Sequence, residues 1–272
     1  MATTDKKSTA LAKPMSAALA NDLGSDFPAE VGFQSVRLPR IGFKSQDQFE
    51  GTGRNKKVSI PAGTYLAETE TDELDEETGK KAWDSEELGS EIEAAVAFRR
   101  KRLSFFEDGI GYTSSTEYDS EDDVIPLFQG GKKLTEGTPA ELKARYMETK
   151  NGKERSKLQE EYVLYVLLLI RGAFELRVLT VKGSSLWNWK NYARKMGPKV
   201  PLVLTKFASE FREQGSNEWN AMTFEPSRPL SEAEGIEVRD ARNSIRQGIE
   251  DQKSQFAGNE RHPLDSEFDK KD

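Results

Sequence analysis

Apolar positions along this chain fall in short alternating stretches, separated by glycine, proline and charged residues. That pattern predicts strands more than long helices. Residues 1–30 are small and polar without a sustained period and are expected to form a flexible arm. From Val31 onward strand-like stretches appear, around Val36, Leu38, Ile41 and Phe43, then around Val58, Ile60, Tyr65 and Leu66. Between Glu68 and Glu93 twelve acidic residues meet only two basic ones. So polar a stretch is expected to be a loop, with a hairpin tip at 71–80 closed by Thr78-Gly79.

Ala94 to Phe106 reads as a long strand, turned by Glu107-Asp108-Gly109 into a partner carrying Tyr112. An acidic, serine-rich loop (114–123) leads to a short strand, Val124 to Phe128. Thr138-Pro139-Ala140-Glu141 combines a threonine N-cap, a proline at the first helical position and a glutamate three residues after the cap, so it opens a helix through Tyr146. Tyr162 to Ile170 and Ala173 to Val181, joined by Arg171-Gly172, predict a buried hairpin. Ser184-Ser185 should cap a helix from Leu186 to Lys195, closed by Gly197-Pro198. Val200 to Phe211 and Trp219 to Phe224 complete the strands. A second capping box, Ser231 to Glu234, opens a polar helix with a thin apolar stripe at Val238, Ala241, Ile245, Ile249 and Phe256.

The elements predict a mainly β (α+β) protein: a β-rich domain over 31–228, a C-terminal helix over 229–257, and a disordered polar tail over 258–272. Hairpin-connected order points to an OB-like antiparallel Greek-key barrel with insertions and short helices. Other antiparallel barrels and sandwiches share the pattern.

Composition narrows the chemistry. The chain of 272 residues has no cysteine, one histidine (His262), 32% charged residues and a net charge of −7. Disulfides, thiolate zinc sites and a cysteine nucleophile are excluded, and a histidine triad nearly so. Phosphate-cradling glycine motifs are absent, and no cofactor is expected. The longest apolar run, Val163 to Ile170, is far shorter than the roughly 20 residues of a membrane helix. A cytoplasmic protein without a membrane partner is therefore expected.

Two basic–aromatic segments stand out against the acidic average. In the first, Phe98-Arg99-Arg100-Lys101-Arg102-Leu103-Ser104-Phe105-Phe106, four cations on a strand put two on each face. Arg100 and Arg102 are expected on one exposed face, with Phe98, Phe105 and nearby Tyr112 as stacking platforms. Cations along phosphates and rings under bases make a sequence-tolerant single-strand site. The competing explanation is an edge strand protected by charge. In the second, eight basic residues between Arg177 and Arg212 face one acidic residue. There Lys182, Trp187, Lys190, Arg194 and Lys195 could grip phosphates and bases, while Trp189 belongs to a core-facing helix side. Asp119, Glu121, Asp122 and Asp123 resemble a cation loop but lack EF-hand spacing. Glu141-Leu142-Lys143 faintly suggests half of a metal-dependent nuclease motif, although Glu141 already serves the helix cap.

On these residues, together with the tail Asp265-Ser266-Glu267-Phe268-Asp269, the chain resembles the phage-type single-stranded DNA-binding proteins, an OB barrel with insertions ending in an acidic tail. The resemblance implies a protein that coats single-stranded DNA during phage-type replication or recombination, in a host cytoplasm, and whose tail meets replication proteins. Lys270 and Lys271 depart from that pattern by diluting the tail. The alternatives are a protein–protein module, such as a virion or scaffold component using the apolar stripe of the C-terminal helix, and a metal-dependent nuclease.

Overall fold

The computed structural model of the protein describes residues 38–50, 57–74, 81–107, 109–130, 132–150 and 152–256. The expected N-terminal arm, the polar tail and Thr78-Gly79 lie outside the described residues. The architecture is mainly β, built around one very long strand.

That strand, β6 (Glu91–Glu107), carries a run of alanines and a valine buried on both sides, Ala94 to Ala97. Before it come β1 (Arg40–Phe43), β2 (Gln48–Glu50), β3 (Lys57–Ile60), β4 (Tyr65–Leu74) and β5 (Lys81–Gly89). After it follow β7 (Gly111–Ser115), β8 (Ile125–Gln129), β9 (Lys132–Gly137), α1 (Pro139–Arg145) and the small hairpin β10 (Met147–Lys150) and β11 (Lys153–Ser156). The chain ends in β12 (Gln159–Ile170), β13 (Ala173–Val181), α2 (Ser184–Met196), a 3-10 turn (Gly197–Leu202), β14 (Val203–Gln214), β15 (Asn217–Pro229) and α3 (Glu232–Phe256). The main sheet has the order β5-β4-β1-β13-β12-β6-β7-β8-β9. It forks along β6, whose first half also pairs with β14 and whose last residues pair with β7.

Several expectations change. The acidic stretch 68–93 is not a loop: Glu68 to Leu74 and Lys81 to Gly89 pair as strands β4 and β5. Exposed strands satisfy their backbone in the ladder and leave their acids to water, so polarity alone does not unmake them. The sheet is mixed and not purely antiparallel, because β1 runs parallel to β13. Residues 200–202 belong to the 3-10 turn, so β14 starts at Val203.

The β12–β13 hairpin is as expected, with nine register pairs from Tyr162↔Val181 to Ile170↔Ala173. Its two-residue turn needs positive φ at both positions, and Arg171 and Gly172 sit at 52° and 84°. Both capping boxes form: Glu141 N donates to Thr138 Oγ1 at 3.3 Å, and Ser231 N donates to the Glu234 carboxylate at 2.7 Å.

The sheet is curled. Tyr65 donates its hydroxyl to the Ala208 carbonyl at 3.0 Å, and Asn220 N donates to the Ser45 carbonyl at 2.7 Å. Gly63 lies against Ser209 with no room for a side-chain carbon. Those contacts draw the β1–β4 end onto β14 and β15. Inside the curl Tyr65, Leu164, Val166, Leu179, Phe207 and Phe224 form the main core, and Trp189 of α2 plugs it. On the opposite face of β6 and β12 lies α3. Val238 packs near Ala95 and Ala97, while Ile245 and Ile249 pack with Phe98, Val163, Tyr165 and Val178. Small side chains on β6 let the helix approach, and each large apolar group so buried contributes about 1.5–3 kcal/mol. Among the described residues no helix is long and apolar enough to cross a membrane.

Candidate functional site

The basic strand segment is structural over most of its length. Beside Phe98 the ladder skips a residue: Tyr165 pairs with Phe98 but Val166 with Val96. This bulge resets the alternation, so Ala95, Ala97 and Phe98 all turn toward α3. Phe98 is buried between Tyr165, at 6.1 Å between ring centroids, and the Arg246 guanidinium, at 5.8 Å. It is not an exposed stacking platform.

Arg100 and Arg102 follow on the same face, and neither is free to take DNA. Arg100 is 1% exposed. It donates Nη2 to the Glu117 carbonyl at 2.7 Å and places Nε 3.4 Å from Asp119. Arg102 donates Nε and Nη2 to the Glu161 carboxylate at 3.2 and 2.8 Å. Burial lowers the Arg102 guanidinium, but Glu161, followed by Tyr112 and Glu117, outweighs it and holds the cation more firmly charged. Burial also pushes the Glu117 carboxyl up, against the pull of Arg100 and Arg102. On the other face Lys101 bonds Glu121 at 2.6 Å, and the Arg99 guanidinium lies 5.7 Å from the Tyr162 ring.

Helix α2 also differs from expectation. Its N-cap is Gly183, at φ 59°, with no side-chain cap. Ser184 and Ser185 instead reach across to β15: Ser184 Oγ accepts from Trp219 Nε1 at 2.9 Å and Ser185 Oγ accepts from Met222 N at 2.9 Å. Trp189 is fully buried, as its helical face predicts, and Tyr192 bonds Thr205. Lys190 is held by Glu160 at 2.6 Å. Trp187, Arg194 and Lys195 are exposed, on parts of α2 that stand away from the groove described next.

What the structure does bring together is a groove of about 990 Å³ at one end of the curled sheet. The end of β6 and the start of β7 supply Phe105, Phe106 and Tyr112; β13 and the first turn of α2 supply Thr180, Lys182, Gly183 and Ser184; β15 supplies Trp219. The β10–β11 hairpin and the residue after it add Lys150, Arg155 and Lys157. Phe106 and Tyr112 sit directly opposite each other in the ladder, 67% and 43% exposed. Direct cross-strand partners stand about 5 Å apart at Cβ, so the two residues form one exposed aromatic step on the ladder. The Tyr112 hydroxyl donates to Glu161, at 3.1 Å from Oε1, and so links the step to Arg102 behind it. Phe105 turns the other way, against Tyr146 at 5.7 Å, with Lys157 Nζ 6.0 Å from its ring.

Five cations line this groove (Arg40, Lys150, Arg155, Lys157, Lys182) with four carboxylates (Glu68, Glu107, Glu148, Glu161). Lys157 bonds Glu107 at 3.2 Å, Arg155 bonds Glu148 at 3.0 Å, and Arg40 lies 3.8 Å from Glu68. Among the described residues Lys150 and Lys182 make no ion pair, and both are exposed. Sequence reading missed Arg155, Lys157, Lys150 and Trp219, which are scattered over 70 positions and converge only in space. Phe106, in contrast, stood at the end of a segment already singled out.

Among the described residues neither alternative site is assembled. The Asp119–Asp123 loop is closed on itself, with the Asp123 carboxylate accepting from Asp119 N and Ser120 N at 3.1 and 3.0 Å. No group of three acids or histidines is placed to hold a metal among the described residues. The stripe of α3 at Val238, Ile245 and Ile249 is buried against the sheet and offers no docking face; the side chain of Phe256 lies outside the described residues. Comparison with protein-family models, curated proteins and solved structures finds no match.

Proposed function

We propose that the protein binds single-stranded DNA in this groove, without strong sequence preference, as an accessory of phage-type replication or recombination. The observation that carries the reading is the exposed Phe106–Tyr112 pair, set in a groove whose walls hold Lys182 and Lys150 without ion-pair partners among the described residues. Every base has a π-face, so such a step accepts any base, while the lysines follow the backbone. The first turn of α2 lines the same groove, and with no side-chain cap at Gly183 this helix start favours an anion there. The curled sheet with a helix plugging its interior fits an OB-like, partly open barrel, an architecture that binds oligonucleotides on one face.

The groove is not uniformly basic, and the chain is acidic overall. A duplex needs a broad positive face for two backbones, whereas a single strand needs a narrow track and stacking partners. The site has the second character. Fluorescence titration with oligo(dT) and with duplex DNA across a salt series tests the reading. Tighter binding of oligo(dT), falling with salt at a log–log slope of about −0.7 per phosphate contacted, is expected. A flat salt response or equal affinity for duplex removes it.

A further inference from the structure

Three of the groove's five cations, Arg40, Arg155 and Lys157, do not face it as free charges. Lys157 and Arg155 each hold a carboxylate of the same rim, Glu107 at 3.2 Å and Glu148 at 3.0 Å. Both pairs are partly exposed, 35% and 38% for Lys157 and Glu107, 48% and 31% for Arg155 and Glu148. They differ in kind from the buried pairs behind them, such as Arg102–Glu161, where the carboxylate is 3% exposed and also carries the Tyr112 hydroxyl. A buried pair of that sort cannot part without leaving a charge stranded in the protein. A half-exposed pair can, because water takes up the released carboxylate.

We infer that Glu107 and Glu148 are built-in competitors for the nucleic-acid backbone: each occupies a rim cation in the free protein and is displaced when a phosphate arrives. The inference rests on the single-strand reading and deepens it, by naming residues that set the affinity of that same groove. Its chemistry is an exchange of anions. In the free protein Lys157 is neutralised by Glu107; in the complex a phosphate takes that place and Glu107 turns to solvent. The strand releases a condensed counterion at that contact, but the freed carboxylate gathers one of its own. The contact therefore adds little to the salt dependence, and the site binds less tightly than its count of cations suggests. Lys182 and Lys150, with no carboxylate to displace among the described residues, carry the ordinary salt-dependent share.

Three single substitutions test this, all removing one negative charge. Glu107→Gln and Glu148→Gln act at the rim. Glu136→Gln is the control: Glu136 pairs with Lys133 on β9 at 2.7 Å and does not line the groove. Oligo(dT) titrations at several salt concentrations are expected to show Glu107→Gln and Glu148→Gln binding roughly two- to fivefold more tightly than the parent protein at low salt, the scale of an exposed pair. Their log–log slopes should each steepen by up to about 0.7, with the curves converging at high salt. Glu136→Gln should leave slope and affinity unchanged. Rim variants that bind no tighter than the parent protein, or a control that tightens equally, overturn the competitor role while the single-strand reading stands. A parent protein that does not bind oligo(dT) at all overturns both.

Discussion

Arg100 lies inside the protein with its guanidinium on Glu117, bonding the backbone carbonyl at 2.7 Å and standing 3.5 Å from the carboxylate. Tyr165 donates its hydroxyl to the same carboxylate at 2.8 Å, and burial holds that phenol well above its ordinary range. This cluster ties β6 to β12 and to the segment after β7. It explains why the most conspicuous basic run in the chain belongs to the scaffold.

Arg100→Ala should therefore destabilise the fold by about 3–5 kcal/mol, because it strands a buried acid. Urea unfolding measures that loss. Where the variant remains folded, its affinity for oligo(dT) should match the parent protein's. Weakened binding at unchanged stability would return Arg100 to the interface.

Phe106→Ala and Tyr112→Ala should each weaken oligo(dT) binding, by about 1–3 kcal/mol for each base that loses its platform. Stability should change little for Phe106, which is 67% exposed. Phe98→Ala should do the reverse, costing about 3–5 kcal/mol of stability as a buried ring. Equal behaviour of Phe98 and Phe106 in both measurements would contradict the groove's location.

The chain has four tryptophans. Trp189 is buried, Trp83 and Trp187 lie outside the groove, and Trp219 lines it with its indole held by Ser184. Quenching on addition of oligo(dT) should come mainly from Trp219, so Trp219→Phe abolishes most of the signal while Trp187→Phe preserves it. A signal that follows Trp187 would place the strand along α2.

At the start of α3, hydrogen bonding from Arg228, outweighing burial, together with the Ser231 cap, holds the Glu234 carboxyl down to about 2, from an ordinary 4.5. Between those values the unfolded chain binds the proton more readily, so the stabilisation is present above the ordinary value and lost as pH falls toward 2. Glu234→Gln should show a smaller fall in thermal midpoint between pH 5 and pH 3 than the parent protein. Parallel pH profiles for the two would show that the cap does not depend on this charge.

Much of the fold was legible locally. Capping boxes at Thr138 and Ser231 and the Arg171-Gly172 turn are signals carried by neighbouring residues, and all three form. The apolar stretches from Ala94 to Phe106 and from Tyr162 to Val181 mark strands, and most of their length is buried. Strands β4 and β5 were hidden because their ladder is made by backbone groups, which the acidic side chains do not reveal. Ser184 and Ser185 look like caps in sequence, but β15 competes for their hydroxyls. A cap signal describes the local alternatives of a hydroxyl, not the strand that later packs across it.

The sequence by itself determined that this protein is mainly β, that its core is the β12–β13 hairpin with Trp189, and that cations and rings cluster between Phe98 and Tyr112. Only the tertiary structure decided which of those residues meet solvent. One bulge at Ala97 sets the face of every later residue of β6, and a one-residue slip there would exchange Arg99 and Lys101 with Arg100 and Arg102. Which cations are neutralised depends on acids from distant segments, Glu117, Glu121 and Glu161, whose approach follows from sheet pairing and not from spacing along the chain. The groove gathers side chains from nine separate strands and helix α2 for the same reason: concavity is a property of how a sheet curls, and no local stretch of residues encodes it.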